Sequence, residues 1–152
     1  MARGTGKYKN IGGIHFEKDE SGNLILTSEI LVKAMRDCYN EHLWGVDKWS
    51  DWPQMKKIMS ELDTVFYPIS RNSWFKDQKF VHVLDPLELE YTAEQVNYIG
   101  VGLGFNHFHW FGHVFLTAQA WVLAWNVTQY GHLASPGEHY WADFGFDMYW
   151  AI

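Results

Sequence analysis

The chain has 152 residues, enough for one domain with a buried core, and 47% of them are hydrophobic, which argues against a disordered chain. It carries 18 acidic and 12 basic residues, for a formal net charge of -6, so no chain-wide attraction to nucleic acid is expected. Aromatic residues make up 18% of the chain, a surplus that suits stacking against flat ligands or sugar faces. The single cysteine, Cys38, excludes an intramolecular disulfide and a cysteine-rich zinc module.

The N-terminal part of the chain predicts a small β-hairpin followed by two amphipathic helices. Ile14–Lys18 and Leu24–Thr27 are short apolar runs on either side of a polar turn, which is typical of a peripheral hairpin. Beyond it, apolar residues recur at three- and four-residue spacing, which predicts a helix over 28–43. Pro53 suits the first turn of a helix and precedes a second apolar stripe, so the next helix is expected over 53–66.

A loop and a glycine-rich helix are predicted next. The segment 67–91 contains two prolines and is expected to be mainly loop, with a short strand at Phe80–Leu84. Thr92 and Gln95 have the spacing of a capping box, which predicts a helix over 92–104 that its glycines shorten or bend. These glycines follow a helix start and lack the spacing of a phosphate-binding loop, so they indicate close backbone packing between helices.

The last part of the chain predicts a Trp-rich helix and a well-marked final helix. Residues 107–127 keep helical spacing over four turns and should form the most buried helix. Ser135, Pro136 and Glu138 combine an N-cap, a proline and a capping glutamate, so the final helix is expected over 136–150. The predicted fold is a single, mostly α domain, with about five helices packed around the Trp-rich central helix and a small N-terminal β-hairpin.

The segment Gln95–Gly137 contains no Asp, Glu, Lys or Arg, which raises the question of a membrane span. Its best candidate for a span, 108–125, carries His109, His113 and Gln119, and polar groups of this kind are costly inside a bilayer. A buried helix of a soluble domain is therefore favoured. A His-ligated membrane or cofactor subunit is kept as an alternative.

Histidines cluster in the same region, where zinc or iron is the metal to consider. His109 and His113 would share one helix face, as metal ligands do, and His107 lies close by in sequence. No nearby carboxylate completes a set of two histidines and an acid. We therefore expect the three histidines to be packing and hydrogen-bonding groups, and we expect no cofactor.

Carboxylates are scarce in the aromatic half of the chain, where Asp77, Glu138, Asp143 and Asp147 stand out. A carboxylic acid that is desolvated beside aromatic rings can serve as a general acid, which is the pattern of glycan-cleaving sites. Glu138 also stands where a capping-box glutamate belongs, so capping and catalysis are both open for it. Asp147 is expected to be a solvated residue of the last helix.

Three collinear stretches, 69–77, 97–105 and 135–149, carry motifs that belong together. They resemble, in order, the patterns V-R-x-G-x-W-D-x-K, N-Y-G-x-x-G-x-x-x-G and D-P-x-D-x-x-x-I-x-x-G-x-x-Y. The matching residues are Arg71 and Trp74 in the first, Asn97, Tyr98 and Gly102 in the second, and Pro136, Glu138, Gly145 and Tyr149 in the third. With these motifs, the region of about 69–149 resembles the bacterial toxin 44 family, also called polymorphic toxin type 44.

The resemblance implies a mostly helical toxin or effector enzyme with a cognate immunity protein. The N-terminus lacks the features of a signal peptide, so a toxin of this kind would be made in the cytoplasm and exported by a specialised secretion system. Phe75 stands where the family has an aspartate, and Ser135 replaces the first acid of the third motif. If the family's aspartate is catalytic, this copy is either inactive or uses the neighbouring Asp77.

The expected function is a hydrolase whose cleft presents Glu138 and Asp77 to its substrate. The candidate catalytic residues are Glu138, Asp77, His139 and Lys76, and the candidate substrate-binding residues are Arg71, Trp74, Asn97, Tyr98 and Trp141. The acidic charge and the aromatic surplus favour a glycan such as peptidoglycan over RNA. A ribonuclease toxin would instead use His139 or His132 as acid and base, with Lys76 or Arg71 on phosphate. A non-enzymatic interaction protein that kept the fold is a further alternative.

Overall fold

The computed structural model describes residues 9–11, 14–64, 77–87, 89–108 and 135–152. These residues form a mostly helical structure with a small three-stranded sheet, as the predicted fold class requires. The helices are α1 Ser28–His42, α2 Trp52–Thr64, α3 Ala93–Val96, α4 Tyr98–His107 and α5 Pro136–Met148, and a 3-10 turn follows at Tyr149–Ala151. The strands are β1 Lys9–Ile11, β2 Ile14–Phe16, β3 Leu24–Leu26, β4 Lys79–His82 and β5 Glu90–Thr92.

Strand β4 is the centre of the three-stranded sheet. It pairs in parallel with β3, where Leu24 lies opposite Phe80, and antiparallel with β5, where Tyr91 lies opposite Phe80 on the other side. A parallel pair needs a long crossover connection, and α1 and α2 lie in that connection. The sheet therefore packs against the helices through a shared apolar core.

The predicted N-terminal hairpin is corrected by the strand pairing. A tight turn does form, because the Asp19 amide donates to the Asn23 carbonyl at 2.9 Å, and Lys18 and Leu24 make one bridge. However, β2 pairs with β1, and β3 pairs with β4. All three residues of β3 are buried, so this strand gains more by lying in the interior beside β4 than in a peripheral hairpin.

The first two helices agree closely with their sequence patterns. Thr27 caps α1, since its side-chain oxygen accepts a hydrogen bond from the Ile30 amide at 3.2 Å. Asp51 accepts one from the Gln54 amide at 3.0 Å in the first turn of α2. The predicted apolar stripes are buried at Leu31, Ala34, Met35 and Cys38 in α1, and at Met55, Ile58, Met59 and Leu62 in α2.

The helix predicted over 92–104 is two helices, α3 and α4, which meet at Asn97. The capping box of Thr92 and Gln95 is present as predicted. The glycines do not shorten α4, which continues to His107, and Phe108 is already extended at φ -86 and ψ 106. A helix over 107–127 therefore does not begin at His107, and the rest of that Trp-rich segment lies outside the described residues. None of the described helices is long and apolar enough to cross a bilayer.

Glycines explain why α4 and α5 lie so close together. A Cβ atom built on Gly102 would lie 2.8 Å from the Phe146 amide nitrogen and closer still to the Ala142 carbonyl oxygen. One built on Gly145 would lie 2.9 Å from the carbonyl carbon of Ile99. These are backbone atoms, so only glycine allows the two helices to touch. The close packing predicted from the glycine spacing is thus confirmed, and it fixes 97–105 against 135–149.

Candidate functional site

The N-terminus of α5 carries two of the candidate catalytic residues, Glu138 and His139. Glu138 completes a capping box: its Oε1 accepts a hydrogen bond from the Ser135 amide at 2.7 Å, and its own amide donates to the Ser135 hydroxyl at 3.2 Å. Glu138 is only 7% exposed, and among the described residues Oε2 has no hydrogen-bond partner. His139 is half-buried, and its Nδ1 likewise lacks a partner in the described part of the chain.

A chain of contacts links the first residue of β4, Lys79, to this capping box. Gln95 donates from Nε2 to the Ser135 hydroxyl at 3.4 Å and accepts at Oε1 from the Thr92 amide at 3.0 Å. Thr92 is paired in the sheet with Lys79. Asp77 precedes Lys79 by two residues, which the backbone spans in about 7 Å. Asp77 is exposed.

The other predicted site residues in the described chain belong to the interior. Asn97, Tyr98 and Trp141 are all buried, so they do not line an open cleft in this structure. Large aromatic side chains gain most by burial against a closely packed helix pair, and α4 and α5 form such a pair. The second and third motif stretches meet where α4 packs on α5. Arg71, Trp74 and Lys76 of the first stretch lie outside the described residues.

A buried histidine next to Trp141 was missed by the sequence analysis. His82 in β4 is 2% exposed, and its Nδ1 lies 2.6 Å from the hydroxyl of Tyr140 in α5. Its ring centroid lies 5.0 Å from that of Trp141. Burial lowers the pKa of His82 below its ordinary value, an effect that the nearby Asp85 partly offsets. The ring is thus held neutral, and burial first, then Asp85, raises the pKa of Tyr140 to about 12.

Asp85 forms the other half of this cluster. Its Oδ2 accepts a hydrogen bond from the Tyr91 hydroxyl at 2.7 Å and from the Leu89 amide at 3.1 Å, while Oδ1 accepts from the Leu87 amide at 3.0 Å. Burial raises the pKa of Asp85, but these hydrogen bonds outweigh it, and the net pKa lies below the ordinary value. The Tyr91 ring stacks on Tyr140 with centroids 5.2 Å apart. Asp85 is therefore ionised. It fixes the β4–β5 connection and orients Tyr91, whose ring in turn packs on Tyr140 of α5.

His82, Asp85, Tyr91 and Tyr140 together form what we call the His82 cluster, which joins β4, the turn after it, β5 and α5. It holds the first turns of α5, including Glu138, against the sheet. No local sequence pattern predicts this cluster, because none of its residues belongs to a recognisable motif. His82 and Tyr140 lie 58 positions apart in sequence.

His107 has the packing and hydrogen-bonding role that was expected for it. Its Nε2 lies 2.8 Å from the Val46 carbonyl, and its Nδ1 lies 2.8 Å from the Tyr149 hydroxyl. Both ring nitrogens are therefore engaged by the protein. His109 and His113 lie outside the described residues. In the part of the chain that is described, no group of three or more His, Cys, Asp or Glu side chains has an arrangement that could hold a metal ion.

Comparisons of the chain with protein families, with curated proteins and with solved structures found no match. A function for this chain has to be argued from the chemistry of its own residues.

Proposed function

We propose that the chain is a toxin or effector hydrolase that cleaves a glycan, with Glu138 as general acid and Asp77 as the second carboxylate. The proposal is supported by the chain of contacts from Lys79 through Thr92 and Gln95 to Ser135, which links the strand that follows Asp77 to the capping box of Glu138. Glycosidases work with two carboxyl groups that flank the scissile bond, about 5–9.5 Å apart.

The two carboxylates lie in different surroundings, as acid and base chemistry requires. Asp77 is exposed to solvent, where its carboxylate can reach a substrate and act as base or nucleophile. Glu138 is buried, and its cap uses only Oε1. A proton on Oε2 would leave the hydrogen bond from the Ser135 amide intact, so Glu138 can hold the helix start and donate a proton.

The proposed substrate is a polymeric glycan such as peptidoglycan. A formal charge of -6 disfavours a long polyanion such as RNA, whereas the aromatic surplus suits sugar faces. The resemblance to the toxin 44 family supports a cognate immunity protein as partner and delivery by a specialised secretion system. No bound cofactor enters the proposed reaction.

Purified protein should be incubated with peptidoglycan sacculi and, in parallel, with RNA. We expect soluble reducing sugars from the sacculi, and Asp77→Asn should lower their release by about 10²–10⁴-fold. Asp147→Asn is the matched control, because Asp147 is an exposed carboxylate at the far end of α5. Cleavage of RNA without release of sugar would contradict the proposal and would favour a ribonuclease that uses His139.

A further inference from the structure

A pocket of about 410 Å³ lies at the end of the molecule opposite to Glu138, between the second half of α1, the loop after it and the C-terminal 3-10 turn. Its volume falls in the range of about 300–1,000 Å³ that is usual for small-molecule sites. Glu138 is the third residue of α5, so the 11 residues from it to Tyr149 separate the two sites by about 17 Å. The residues that form its walls and mouth include Arg36, Tyr39, Asn40, Trp44, Lys48 and Trp150.

The charge of the pocket is opposite to that of the whole chain. Arg36 and Lys48 line it, and none of the described lining residues is acidic, although the chain carries a formal charge of -6. The acidic neighbours of these cations in sequence, Asp37 and Asp47, are not among the lining residues. Asp37 pairs with Lys33 at 3.0 Å, and Asp47 accepts a hydrogen bond from the Trp49 amide at 2.8 Å. A guanidinium and an ammonium group that share one pocket favour an anion.

Two indole rings at the mouth are unusually exposed. Trp44 is 74% exposed and Trp150 is 71% exposed, although a tryptophan gains much by burial. The ammonium group of Lys48 lies 5.2 Å from the centre of the Trp150 ring, which keeps a cation beside the indole. Exposed indoles next to cations are suited to a ligand that has both a flat ring and a negative charge.

The floor of the pocket is held by a chain of hydrogen bonds that reaches the core. A carbonyl oxygen only accepts, so the Nε2–H of His107 donates to the Val46 carbonyl at 2.8 Å. In the neutral ring Nδ1 then accepts from the Tyr149 hydroxyl, also at 2.8 Å. The Tyr149 ring packs edge-on against Tyr39 with centroids 5.8 Å apart, and burial raises the pKa of Tyr149, so it keeps its proton. The two tyrosine rings are thus fixed before any ligand binds, which lowers the cost of binding.

We propose that this pocket binds an organic anion that carries a planar ring, the chemistry of a nucleoside monophosphate. Arg36 and Lys48 would hold the phosphate, and the exposed indoles would stack on the base. Asn40, which offers both a donor and an acceptor, would read the edge of the base. The site is separate from the carboxylates of the proposed hydrolase and does not depend on that function.

The four ribonucleoside monophosphates should be titrated into the protein by calorimetry and by quenching of tryptophan fluorescence. Ribose 5-phosphate, an acidic sugar and inorganic phosphate serve as probes that keep the charge but lack the planar ring. We expect at least one nucleotide to bind about tenfold or more tightly than any of these probes. Binding of ribose 5-phosphate or the acidic sugar as tight as that of the nucleotides would overturn the proposal, as would no nucleotide binding at millimolar concentration.

Variants locate the site. Arg36→Gln and Lys48→Gln should each weaken nucleotide binding by about tenfold, whereas Lys56→Gln, which removes an exposed cation from α2, should leave it unchanged. Melting temperatures show whether each variant is folded. Equal binding by the wild-type and Arg36→Gln proteins would refute this pocket as the site. Asp77→Asn should bind nucleotide normally, so failure of the hydrolase proposal and failure of this one give different results.

Discussion

Replacing Gly102 by alanine tests the packing of α4 on α5, which fixes the relative position of two of the three motif stretches. In a solvent-exposed helix, Gly→Ala is expected to stabilise by about 1 kcal/mol, because alanine is the better helix former. At Gly102 the new methyl group would instead lie 2.8 Å from the Phe146 amide nitrogen and closer to the Ala142 carbonyl oxygen. Normal contacts of this kind are about 3.3 Å or longer, so the helices must move apart.

Overpacking of this kind typically costs about 1–3 kcal/mol, which outweighs the gain in helix propensity. In a domain of about this size, each kcal/mol lowers the melting temperature by about 2–4 °C. Gly102→Ala should therefore melt several degrees below the wild-type protein in thermal and urea unfolding. Gly104→Ala is the matched control on the same helix, since its added methyl group meets only the flexible side-chain ends of Met59 and Leu62.

The comparison between the two variants decides the matter. We expect Gly104→Ala to be clearly less destabilised than Gly102→Ala, because Met59 can change its rotamer whereas a helix backbone cannot give way locally. A Gly102→Ala protein as stable as the wild type, or more stable, would refute the close approach of α4 and α5.

Three further predictions concern the interior. Tyr140→Phe leaves the buried Nδ1 of His82 without its hydrogen-bond partner, so the free energy of unfolding measured in urea should fall by about 1–3 kcal/mol. A fall of less than about 0.5 kcal/mol would argue against the His82 cluster. Since the pKa of His82 is held below its ordinary value of 6.5, the unfolded chain takes up the proton first, and stability should fall as the pH drops below about 6.5. A second loss of stability should follow below about pH 3.8 as Asp85 protonates. His82→Gln should reduce the loss of stability near pH 6.5 and leave the loss at acidic pH unchanged. Burial, then Glu41 and Asp37, raises the pKa of Cys38 to about 12, so iodoacetamide should label this thiol at pH 8 only after unfolding; labelling of the native protein would contradict its burial.

Local signals in the sequence predicted the helix starts well. The capping boxes at Thr92 and Ser135 involve residues three positions apart, and both are present with the expected hydrogen bonds. The apolar stripe of α1 is likewise a property of neighbouring turns. In each case the residues that decide the structure lie within one or two helical turns of each other, so a short stretch of sequence is enough to recognise the element.

Features that depend on distant residues were not predictable in the same way. Leu24 bridges Lys18 across the tight turn, but its further pairing beside Phe80 is decided by the burial that the whole fold offers. The length of α4 is another case, since its glycines are tolerated because α5 and α2 pack against them. The pairing of His82 with Tyr140 depends on the same tertiary arrangement and has no local counterpart.

The candidate site as a whole stays a prediction. Motif spacing put the second and third motif stretches in one site, and these stretches do pack together through α4 and α5. It did not distinguish surface from interior, so Tyr98 and Trp141 were expected on a cleft wall although both are buried. Residue type alone does not reveal which face of an aromatic-rich helix is covered by its neighbours.

The most direct test of the proposed hydrolase compares Glu138→Gln with Glu138→Ala, because only one of these changes leaves the cap in place. The Gln side chain can still accept the hydrogen bond from the Ser135 amide, whereas Ala loses a cap interaction of on the order of 1 kcal/mol. Release of soluble sugar from peptidoglycan and the melting temperature should be measured on both variants and on the wild type. The account predicts that Glu138→Gln melts near the wild type but releases sugar about 10²–10⁴-fold more slowly. A Glu138→Gln protein that cleaves at the wild-type rate, beside an Ala variant that merely melts earlier, would make Glu138 a helix cap and nothing more.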